Sequence, residues 1–435
     1  LRDELDTRIK SCGVGGKLHK NAYFPLLIPE SYLKREAEHV EGFVPECAIV
    51  THGGGKELEE KLYVRPTSET IMYEMYSKWI SSWRDLPLLI NQWANIVRWE
   101  LRTRLFLRTL EFLWQEGHTA HSTHEEAHKE TLMILNDVYT KVAEEIMAIP
   151  VLKGKKTQSQ KFPGAVETYC IEGMMQDKKA LQMGTSHDLG QNFAKAFNVR
   201  FQDKNGELKY VYQTSWGVST RLIGALIMAH SDDSGLVLPP QLAPVQVVIV
   251  PIYKTDSERN TVMTEADKIF QSLKNENLRT ELDDRDEYKP GFKFNDWELR
   301  GVPVRIELGP RDIKDGKLVL ARRDTAEKQT VPITNVVKSV SELLETIQKN
   351  LYTKALNFRK ENTFFIDNYN EFKKVMENGG FIYSPWCGRV ECETKVQEDT
   401  KATIRLIPIE ETEESCNCIV CGQTAKIRIP FAKAY

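Results

Sequence analysis

The feature that most restricts the fold is the break at Leu238-Pro239-Pro240, where the character of the chain changes. Proline fixes its own φ angle and lacks a backbone N–H, so neither a helix nor an inner strand runs through two prolines in succession. After the break, the β-branched run Val245–Pro251 begins an alternation of buried strands and helices over roughly a hundred residues. That alternation predicts a separate α/β domain with a mostly parallel sheet.

The rest of the chain divides around this unit. Before the break, short strands and helices follow one another in a pattern that favours an α+β fold. A length of 435 residues also exceeds that of one ordinary domain. The sequence therefore predicts three domains: residues 1–238, α+β; residues 241–350, α/β; and residues 358–435, a small α+β domain.

Local signals place several elements along the chain. Thr123 and Glu126 fit a capping box at the start of a helix. The glycines at 53–55 predict a turn between strands at Ala48–Thr51 and Leu62–Arg65. Further helices are predicted at Ser68–Trp79, near Glu265–Lys274 and near Ser339–Leu351.

Charge and cysteine content limit the location and the partners. The formal net charge of −3 gives no overall excess of basic residues, so any RNA binding rests on a local surface. No apolar run approaches the length of a membrane span, and the charged N-terminus LRDELDTRIK resembles neither a signal peptide nor a transit peptide. Five of the eight cysteines lie in the last fifty or so residues. Together these features predict a cytoplasmic protein with a C-terminal metal site in place of disulfides.

Four of the cysteines have the spacing of a zinc site. Four residues separate Cys387 from Cys392, and two separate Cys418 from Cys421. Two such pairs supply four thiolates for the tetrahedral coordination of a structural Zn²⁺. Cys416 is a rival ligand because it forms another close pair with Cys418, and reduced free cysteines are the alternative to a metal site.

Residues 95–112 place arginines and a glutamate around a predicted hairpin. Arg98 and Glu100 are two residues apart in a predicted strand, so they are expected to face the same side. Arg108 and Phe112 follow on the returning strand after a basic loop. An ATP site needs fixed cations for phosphate, a carboxylate near magnesium and an aromatic ring for adenine. An amphipathic hairpin with a solvated charged face explains this stretch equally well.

Residues 212–225 have the pattern of a strand, a glycine and a helix. Gly217 permits a ligand to approach the backbone, and Arg221 lies in the first turns of the helix. Structural glycines before helices are common, so this stretch alone is weak evidence for a site.

Together the two stretches resemble motifs 2 and 3 of class II aminoacyl-tRNA synthetases. Motif 2 is Arg-x-Glu, a loop and Arg-x-x-x-Phe, matched by Arg98, Glu100, Arg108 and Phe112. Motif 3 is a glycine-containing turn from strand to helix with an arginine, matched by Gly217 and Arg221. Residues 1–10 and Tyr23-Phe24-Pro25 are similar to the helix and strand of motif 1, which lies at the dimer interface in that class.

The resemblance extends over essentially the whole chain to prolyl-tRNA synthetases of the archaeal and eukaryotic type. Four stretches carry it: RPTSE at Arg65–Glu69, FLWQEGHTA at Phe112–Ala120, GTSHDLGQNF at Gly184–Phe193 and GVPVRIELGPRD at Gly301–Asp312. The resemblance implies a catalytic domain built on an antiparallel sheet, an anticodon-binding α/β domain and a zinc-binding C-terminal domain. It implies a homodimer that uses ATP and Mg²⁺ to convert proline to prolyl-adenylate and transfers it to tRNA(Pro), without an editing domain.

In that family, ATP lies bent on the antiparallel sheet, and the resemblance assigns its contacts. Arg98 would grip the α-phosphate beside the proline carboxylate. Arg221 would hold the γ-phosphate and cover the adenine, with Phe112 on the other face, and these two arginines would be the catalytic residues. Further ATP contacts are expected from Glu100, Arg108, Thr109, Gln182, Thr185 and Ser219, with Gln182 also near Mg²⁺.

The same resemblance implies how proline binds. The ammonium group would be received by Thr67 and Glu69, the carboxylate by Arg98, and the ring by a wall of Trp114, His118 and His187. The structural alternative is that Thr67 with Glu69 caps the helix after Pro66, and that Trp114 belongs to the core of the sheet.

Three other functions compete with this one. A threonine enzyme of the same class would need a zinc in the catalytic domain, for which no convincing ligand set is present. A synthetase-like RNA-binding protein without activity is disfavoured by the intact Arg98, Glu100 and Arg221. The stretch His124-Glu125-Glu126-Ala127-His128 matches the H-E-x-x-H pattern of zinc proteases, but its charged surroundings favour the solvated first turn of a helix.

Overall fold

This computed structural model describes residues 1–37, 47–410 and 415–435. By its internal contacts the chain divides into two compact units. The first comprises Leu1–Val142, Val151–Ala225 and Asn362–Tyr435, and the second Ala143–Pro150 and Leu226–Glu361. The boundaries of the three domains drawn from the sequence remain a prediction.

Residues 1–230 fold into short helices and a series of strands. The described helices are α1 (Arg2–Ser11), α2 (Glu30–Ala37), α3 (Glu69–Trp79), α4 (His124–Met133), α5 (Asn192–Ala196) and α6 (Arg221–His230). The described strands are β1 (Lys20–Asn21), β2 (Leu27–Pro29), β3 (Ile49–Gly53), β4 (Lys56–Val64), β5 (Leu88–Val97), β6 (Glu111–His121), β7 (Val151–Lys155), β8 (Glu167–Met174), β9 (Ala180–Gly190), β10 (Arg200–Gln202), β11 (Leu208–Tyr210) and β12 (Tyr212–Ser219). After α4 the helix continues in wider π-type turns over Ile134–Thr140 and Val142–Ile146.

The second unit is built around a mixed sheet. Its elements are β13 (Val247–Pro251), α7 (Asp256–Asn275), β14 (Thr280–Leu282), α8 (Pro290–Leu299), β15 (Val304–Leu308), α9 (Pro310–Lys314), β16 (Lys317–Arg322), β17 (Lys328–Pro332) and α10 (Val336–Glu361). In the strand order β14-β13-β15-β16-β17, β13 is parallel to both neighbours and β16 is antiparallel to both. The prediction of a mostly parallel sheet is therefore wrong. The connections on either side of β16, residues 309–316 and 323–327, are too short for a parallel crossover.

The C-terminal residues add a small sheet and two helices. The elements described here are β18 (Thr363–Phe365), α11 (Tyr369–Glu377), β19 (Phe381–Trp386), α12 (Val390–Thr400), β20 (Thr403–Ile404), β21 (Ile407–Pro408), β22 (Cys416–Asn417), β23 (Thr424–Ala425) and β24 (Ile427–Ala432). The strands β18, β19, β24 and β20 pair in that order. Their core includes Phe372, Val396 and Phe431.

The large sheet of the first unit joins strands from both ends of the chain. Its order is β1-β5-β6-β12-β9-β8-β7-β21. The pair β1 and β5 is parallel, and the other pairings are antiparallel. Tyr73 and Tyr76 of α3 share a core with Phe193 of α5, and α4 packs against β6, β9 and β12. The expected α+β fold on an antiparallel sheet is confirmed.

Several local predictions are also confirmed. β3 and β4 form the predicted hairpin, in which Gly54 and Gly55 have positive φ angles of 59° and 79°. Thr123 caps α4, since its hydroxyl accepts a hydrogen bond of 3.2 Å from the backbone N–H of Glu126. The helices predicted in the second unit are α7 and α10, and both are longer than predicted, because their polar ends lack the apolar periodicity.

Helix length and composition also bear on membranes. α7 and α10 contain 20 and 26 residues and carry many charges. Within the described part of the chain, no helix has both the length and the apolar character that a bilayer crossing requires.

Candidate active site

A cavity of about 350 Å³ opens over the central strands of the large sheet. Its walls come from β6, β9 and β12, from residues near the starts of α3 and α6, and from the loop between β7 and β8. Side chains that the sequence assigned to separate parts of one site meet here. The cavity is lined by Thr67, Glu69, Arg98, Phe112, Trp114, His118, Gln182, Thr185, His187, Ser219 and Arg221.

The other three predicted residues, Glu100, Arg108 and Thr109, lie outside the lining, in the connection between β5 and β6. β5 ends at Val97, so Arg98 and Glu100 do not alternate on a strand, and that prediction is wrong. The reason is that the ladder between β5 and β6 stops there and the chain turns. Arg98 enters the cavity, whereas the carboxylate of Glu100 lies 3.5 Å from the guanidinium of Arg108.

Two arginine side chains reach the cavity from different elements. Nε of Arg98 donates to the carbonyl of Pro66 at 3.0 Å, and the guanidinium lies 5.6 Å from the centre of the Phe112 ring. Arg221 is the first residue of α6, and its Nη2 donates to the carbonyl of Leu107 at 3.2 Å. Each guanidinium therefore has a fixed position before any ligand binds.

The positive charges of this region repel one another. Burial lowers the pKa of Arg221, and the charges of Arg108 and Arg98 lower it further. Burial also lowers the pKa of Arg98, while Glu69 and Glu116 partly offset that effect. Neither Arg98 nor Arg221 forms a salt bridge with another described residue, so an anionic ligand would relieve an unfavourable arrangement.

The polar side chains at the start of α3 bond to carboxylates and do not cap the helix. Ser68 is the N-cap residue but makes no side-chain cap hydrogen bond. Its hydroxyl donates to Glu116, and the hydroxyl of Thr67 donates to the carboxylate of Glu69. Thr67, Ser68 and Glu69 are at most 4% exposed. The alternative in which Thr67 caps the helix is therefore wrong.

Buried polar groups on β6 connect this helix start to the sheet. Glu116 accepts a hydrogen bond of 2.7 Å from Gln92 and lies 2.8 Å from Nε2 of His118, whose Nδ1 is 3.1 Å from the hydroxyl of Tyr73. Burial works against the charge on His118, but the hydrogen bond with Glu116 raises its pKa. Glu116 was not predicted from the sequence, although its alternation with Trp114 and His118 on one strand indicates that the three side chains share a face.

Another part of the wall is aromatic. The centre of the Phe162 ring lies 4.7 Å from that of His187, and Nδ1 of His187 is 3.0 Å from the hydroxyl of Thr168. Burial lowers the pKa of His187 to about 3, and the charge of His118 contributes to that shift. His187 is therefore neutral at pH 7. The sequence did not predict the loop residues 160–163 in the lining, because a loop has no periodic signal.

Three buried polar atoms of the lining, Nε1 of Trp114, Oγ of Ser215 and Nε1 of Trp216, have no hydrogen-bond partner within the described chain. Leaving such a group unpaired costs on the order of 1–3 kcal/mol. These atoms are therefore candidates for contact with a ligand or with water.

Known families match three segments of the chain. Residues 50–230 match "tRNA synthetase class II core domain (G, H, P, S and T)", residues 246–343 match "Anticodon binding domain", and residues 369–435 match "Prolyl-tRNA synthetase, C-terminal". A proline–tRNA ligase of Chlorobium chlorochromatii (strain CaD3) is 58% identical over 443 residues, covering 100% of this chain and 90% of the relative. The chain belongs to the prolyl-tRNA synthetases.

Other relatives agree with this assignment. The proline–tRNA ligase of Chloroherpeton thalassium (strain ATCC 35110 / GB-78) is 58% identical, with the same coverage of both chains. The crystal structure of prolyl-tRNA synthetase from Cryptosporidium parvum is 41% identical and matches with a TM-score of 0.92 over 100% of this chain and 88% of that one. The function is that of the family: proline is activated with ATP to prolyl-adenylate and transferred to the 3′ end of tRNA(Pro).

In this prolyl-tRNA synthetase, the four paired cysteines of the C-terminal region come together. Sγ of Cys387 lies 3.6 Å from that of Cys392 and 3.7 Å from that of Cys421. With Cys418, the four sulfur atoms lie within 4.8 Å of one another, and Cys416 is not part of the group. Four thiolates at about 2.3 Å from a tetrahedral Zn²⁺ are about 3.8 Å apart, so the donor set and its spacing fit zinc.

The H-E-x-x-H stretch of this synthetase makes a separate contact. Nε2 of His124 and Nδ1 of His128 lie 2.8 Å and 3.4 Å from the same oxygen of the buried Asp188. Both histidines are more than a third exposed, on the first turns of α4 outside the cavity. These three side chains are close enough to hold a metal ion, but the matched families are synthetase domains and favour the synthetase over the protease hypothesis.

Proposed function

We propose that the cavity over β6, β9 and β12 is the place where this enzyme activates proline. One arrangement carries the proposal, because the arginines Arg98 and Arg221 and the buried carboxylate of Glu69 line the same cavity of about 350 Å³. Guanidinium groups bind phosphate and carboxylate, and a carboxylate binds an ammonium group. ATP and proline carry those groups.

In this proposal ATP lies along the central strands. Arg98 contacts the α-phosphate and Arg221 the γ-phosphate, and both anionic groups offset the repulsion among the arginines. Phe112 stacks on one face of the adenine and Arg221 covers the other. The solved relative from Cryptosporidium parvum is complexed with AMPPNP, an ATP analogue, which supports an ATP site here. The remaining contacts come from Gln182, Thr185 and Ser219 in the cavity and from Glu100, Arg108 and Thr109 in the adjoining connection.

Proline binds beside the α-phosphate. Glu69 and Thr67 receive its ammonium group, while Arg98 holds its carboxylate. The ring lies against Trp114, His118 and His187. Because His187 is neutral, the wall that it forms with Phe162 does not add a second positive charge beside the ammonium group.

The chemistry then needs positioning and charge stabilisation and no protein base. An oxygen of the proline carboxylate attacks the α-phosphorus in line with the leaving pyrophosphate, and Arg98 stabilises the charge on the α-phosphate. Gln182 would help hold Mg²⁺, which offsets phosphate charge when it is bound with ATP. A ribose hydroxyl of the tRNA 3′ end next attacks the carbonyl carbon of prolyl-adenylate, and AMP leaves.

The proposal also includes a structural metal site, a location in the cell and an oligomeric state. Cys387, Cys392, Cys418 and Cys421 hold a structural Zn²⁺, which would stabilise the small C-terminal sheet. None of the eight cysteines forms a disulfide in the described chain, which supports a cytoplasmic location. The likeness of residues 1–10 and Tyr23-Phe24-Pro25 to motif 1 supports a homodimer.

ATP–pyrophosphate exchange with each of the twenty amino acids tests the proposal. Exchange is expected to be strongest with proline and to be lost in Arg221→Ala, whereas Arg84→Ala, a change of an exposed arginine, leaves it intact. Exchange that survives in Arg221→Ala would refute the assignment of this cavity. Exchange strongest with another amino acid would refute the proline pocket while leaving the ATP site in place.

A further inference from the structure

A glutamate of the C-terminal residues holds a loop of the catalytic site. Glu393 lies near the start of α12 and is 5% exposed. Its carboxylate accepts hydrogen bonds from the hydroxyl of Thr157 at 3.1 Å, from the hydroxyl of Ser159 at 2.7 Å, and from the amide of Gln160. The three donors belong to one loop, 233 to 236 residues away in the sequence.

The inner side of the same loop is part of the cavity wall. Residues 160–163 line the cavity, and the ring of Phe162 packs on His187. The backbone N–H groups of residues 160 and 161 both donate to the carbonyl of Thr157, at 3.1 Å and 3.0 Å. These short links connect the anchored residues to the lining residues. A shift of Thr157 would therefore move Phe162.

A second contact fixes the base of the loop. Nζ of Lys156, which lines the cavity, donates to the carboxylate of Glu172 at 2.8 Å and to the carbonyl of Arg405 at 2.7 Å. The guanidinium of Arg405 also donates to Glu172. The pairing of β21 with β7 ends just before this point. The base of the loop is thus tied to the C-terminal residues without Glu393, whose bonds fix the outer turn.

Glu393 and the loop stabilise each other. No described basic side chain forms a salt bridge with Glu393, so the buried carboxylate depends on donors from the loop. Residues 157–165 of the loop form turns and no helix or strand. Ordering such a segment costs conformational entropy, and the hydrogen bonds to Glu393 offset that cost. Cys392 directly precedes Glu393, so a metal ion held by the four cysteines would also fix the helical turn that presents the carboxylate.

We infer that Glu393 is a positioning residue for proline binding. Its carboxylate holds residues 157–162 where Phe162 and its neighbours complete the wall around the proline ring. The inference rests on the proposed function, which assigns Glu69 and His187 to the proline site. Glu393 itself does not line the cavity and touches no substrate.

Steady-state pyrophosphate exchange by Glu393→Ala tests the inference. The KM for proline is expected to rise by about tenfold or more, as the loss of bonds to a buried carboxylate predicts. The KM for ATP and kcat are expected to change by less than about twofold, since the ATP contacts are on other elements. Glu393→Gln keeps an acceptor oxygen and is expected to restore much of the proline affinity. Glu391→Ala removes an exposed carboxylate from the same helix and is the matched control.

A change on the loop side completes the design. Thr157→Val removes one donor without changing the size of the side chain, and the KM for proline should rise in the same direction. The combination with Glu393→Ala should raise it less than the product of the two single effects, because both changes break the same contact. Zinc content measured in every variant shows whether the cysteine cluster is intact.

The outcomes separate the possibilities. An unchanged KM for proline in a folded, zinc-loaded Glu393→Ala variant would overturn the inference. So would a fall in kcat with an equal change in both KM values and loss of zinc, because Glu393 would then support the fold alone. If that variant does not fold, Thr157→Val decides by the same measurement. Glu69→Gln, tested beside them, reports on the proposed function: an unchanged KM for proline in that variant would contradict the proline site itself.

Discussion

The hydroxyl of Thr67 donates to the carboxylate of Glu69, and both side chains are buried in the wall of the cavity. Thr67 donates to Oε2 of Glu69, and no described side chain donates to Oε1. The threonine therefore orients the carboxylate, and in the proposed proline site the other oxygen is left for the ammonium group. A residue type that usually caps a helix donates to a neighbouring carboxylate here.

Thr67→Val removes this hydroxyl and keeps the shape of the side chain. Because a hydrogen bond to a charged group contributes about 1.5–3 kcal/mol, we expect the KM for proline in pyrophosphate exchange to rise roughly 10- to 100-fold. The KM for ATP should stay close to that of the wild type. Thr51→Val, in the exposed hairpin, is the control. Equal changes in the KM for proline and the KM for ATP would show that Thr67 stabilises the fold and has no specific role in proline binding.

Gly117 is required by the ring that lies beside it. A Cβ atom added there would lie 2.1 Å from the ring of Trp216, which is 2% exposed and lines the cavity. Gly117→Ala should therefore displace the ring and lower the free energy of unfolding by about 1–3 kcal/mol, with reduced exchange activity. Urea unfolding and pyrophosphate exchange measure the two effects.

The control for that change is Gly291→Ala. A Cβ atom at Gly291 in α8 has no neighbour within 4 Å. The substitution should leave activity unchanged and raise the free energy of unfolding by up to about 1 kcal/mol. If Gly117→Ala were equally harmless, Trp216 would have to move freely, which would contradict its close packing.

The sequence predicts structure well where the signal is local. Thr123 is followed three residues later by Glu126, and the hydroxyl of Thr123 caps the helix; the carboxylate of Glu126 accepts from the hydroxyl of Ser122 instead of completing the capping box. Gly54 and Gly55 form the hairpin turn because their positive φ angles suit glycine. Residues of the candidate site could also be predicted. Arg98 and Arg221 were chosen for their chemistry, and both line the cavity even though Arg98 lies beyond the end of its predicted strand.

Contacts between segments far apart in the chain could not be predicted from the sequence. β5 ends at Val97 because its pairing with β6 ends there, although the alternation of residues continues to Glu100. Glu393 was absent from the predicted site because its partners in the loop are more than two hundred residues away. The direction of β16 likewise depends on short connections and not on the apolar pattern of the strand.

Two buried histidines with opposite shifts make stability depend on pH. Burial lowers the pKa of His121 to about 3, and the charge of His19 contributes. Burial acts in the same direction on His19, but hydrogen bonds with Cys12 and Glu130 raise its pKa to about 10. His121 thus binds a proton more readily in the unfolded chain, whereas His19 holds one in the folded chain.

The consequence for His121 can be measured. Its contribution to the free energy of unfolding is present above about pH 6.5 and is lost as the pH falls toward 3, by up to about 1.4 kcal/mol per pH unit. His121→Gln should flatten this dependence in urea unfolding between pH 7 and pH 4, relative to the wild type. His52→Gln changes an exposed histidine and should leave the slope unchanged. Equal slopes in the wild type and His121→Gln would contradict the buried neutral state.

The cysteine cluster gives a prediction that distinguishes Cys421 from its rival ligand Cys416. Cys421 is within the group of four sulfur atoms, whereas Cys416 is outside it. Metal analysis should therefore find one zinc per chain in the wild type and in Cys416→Ser, and close to none in Cys421→Ser. Zinc retained in Cys421→Ser but lost in Cys416→Ser would make Cys416 the ligand in place of Cys421. Because Cys392 precedes Glu393, loss of zinc should also raise the KM for proline more than that for ATP, as the contact between Glu393 and the loop loosens.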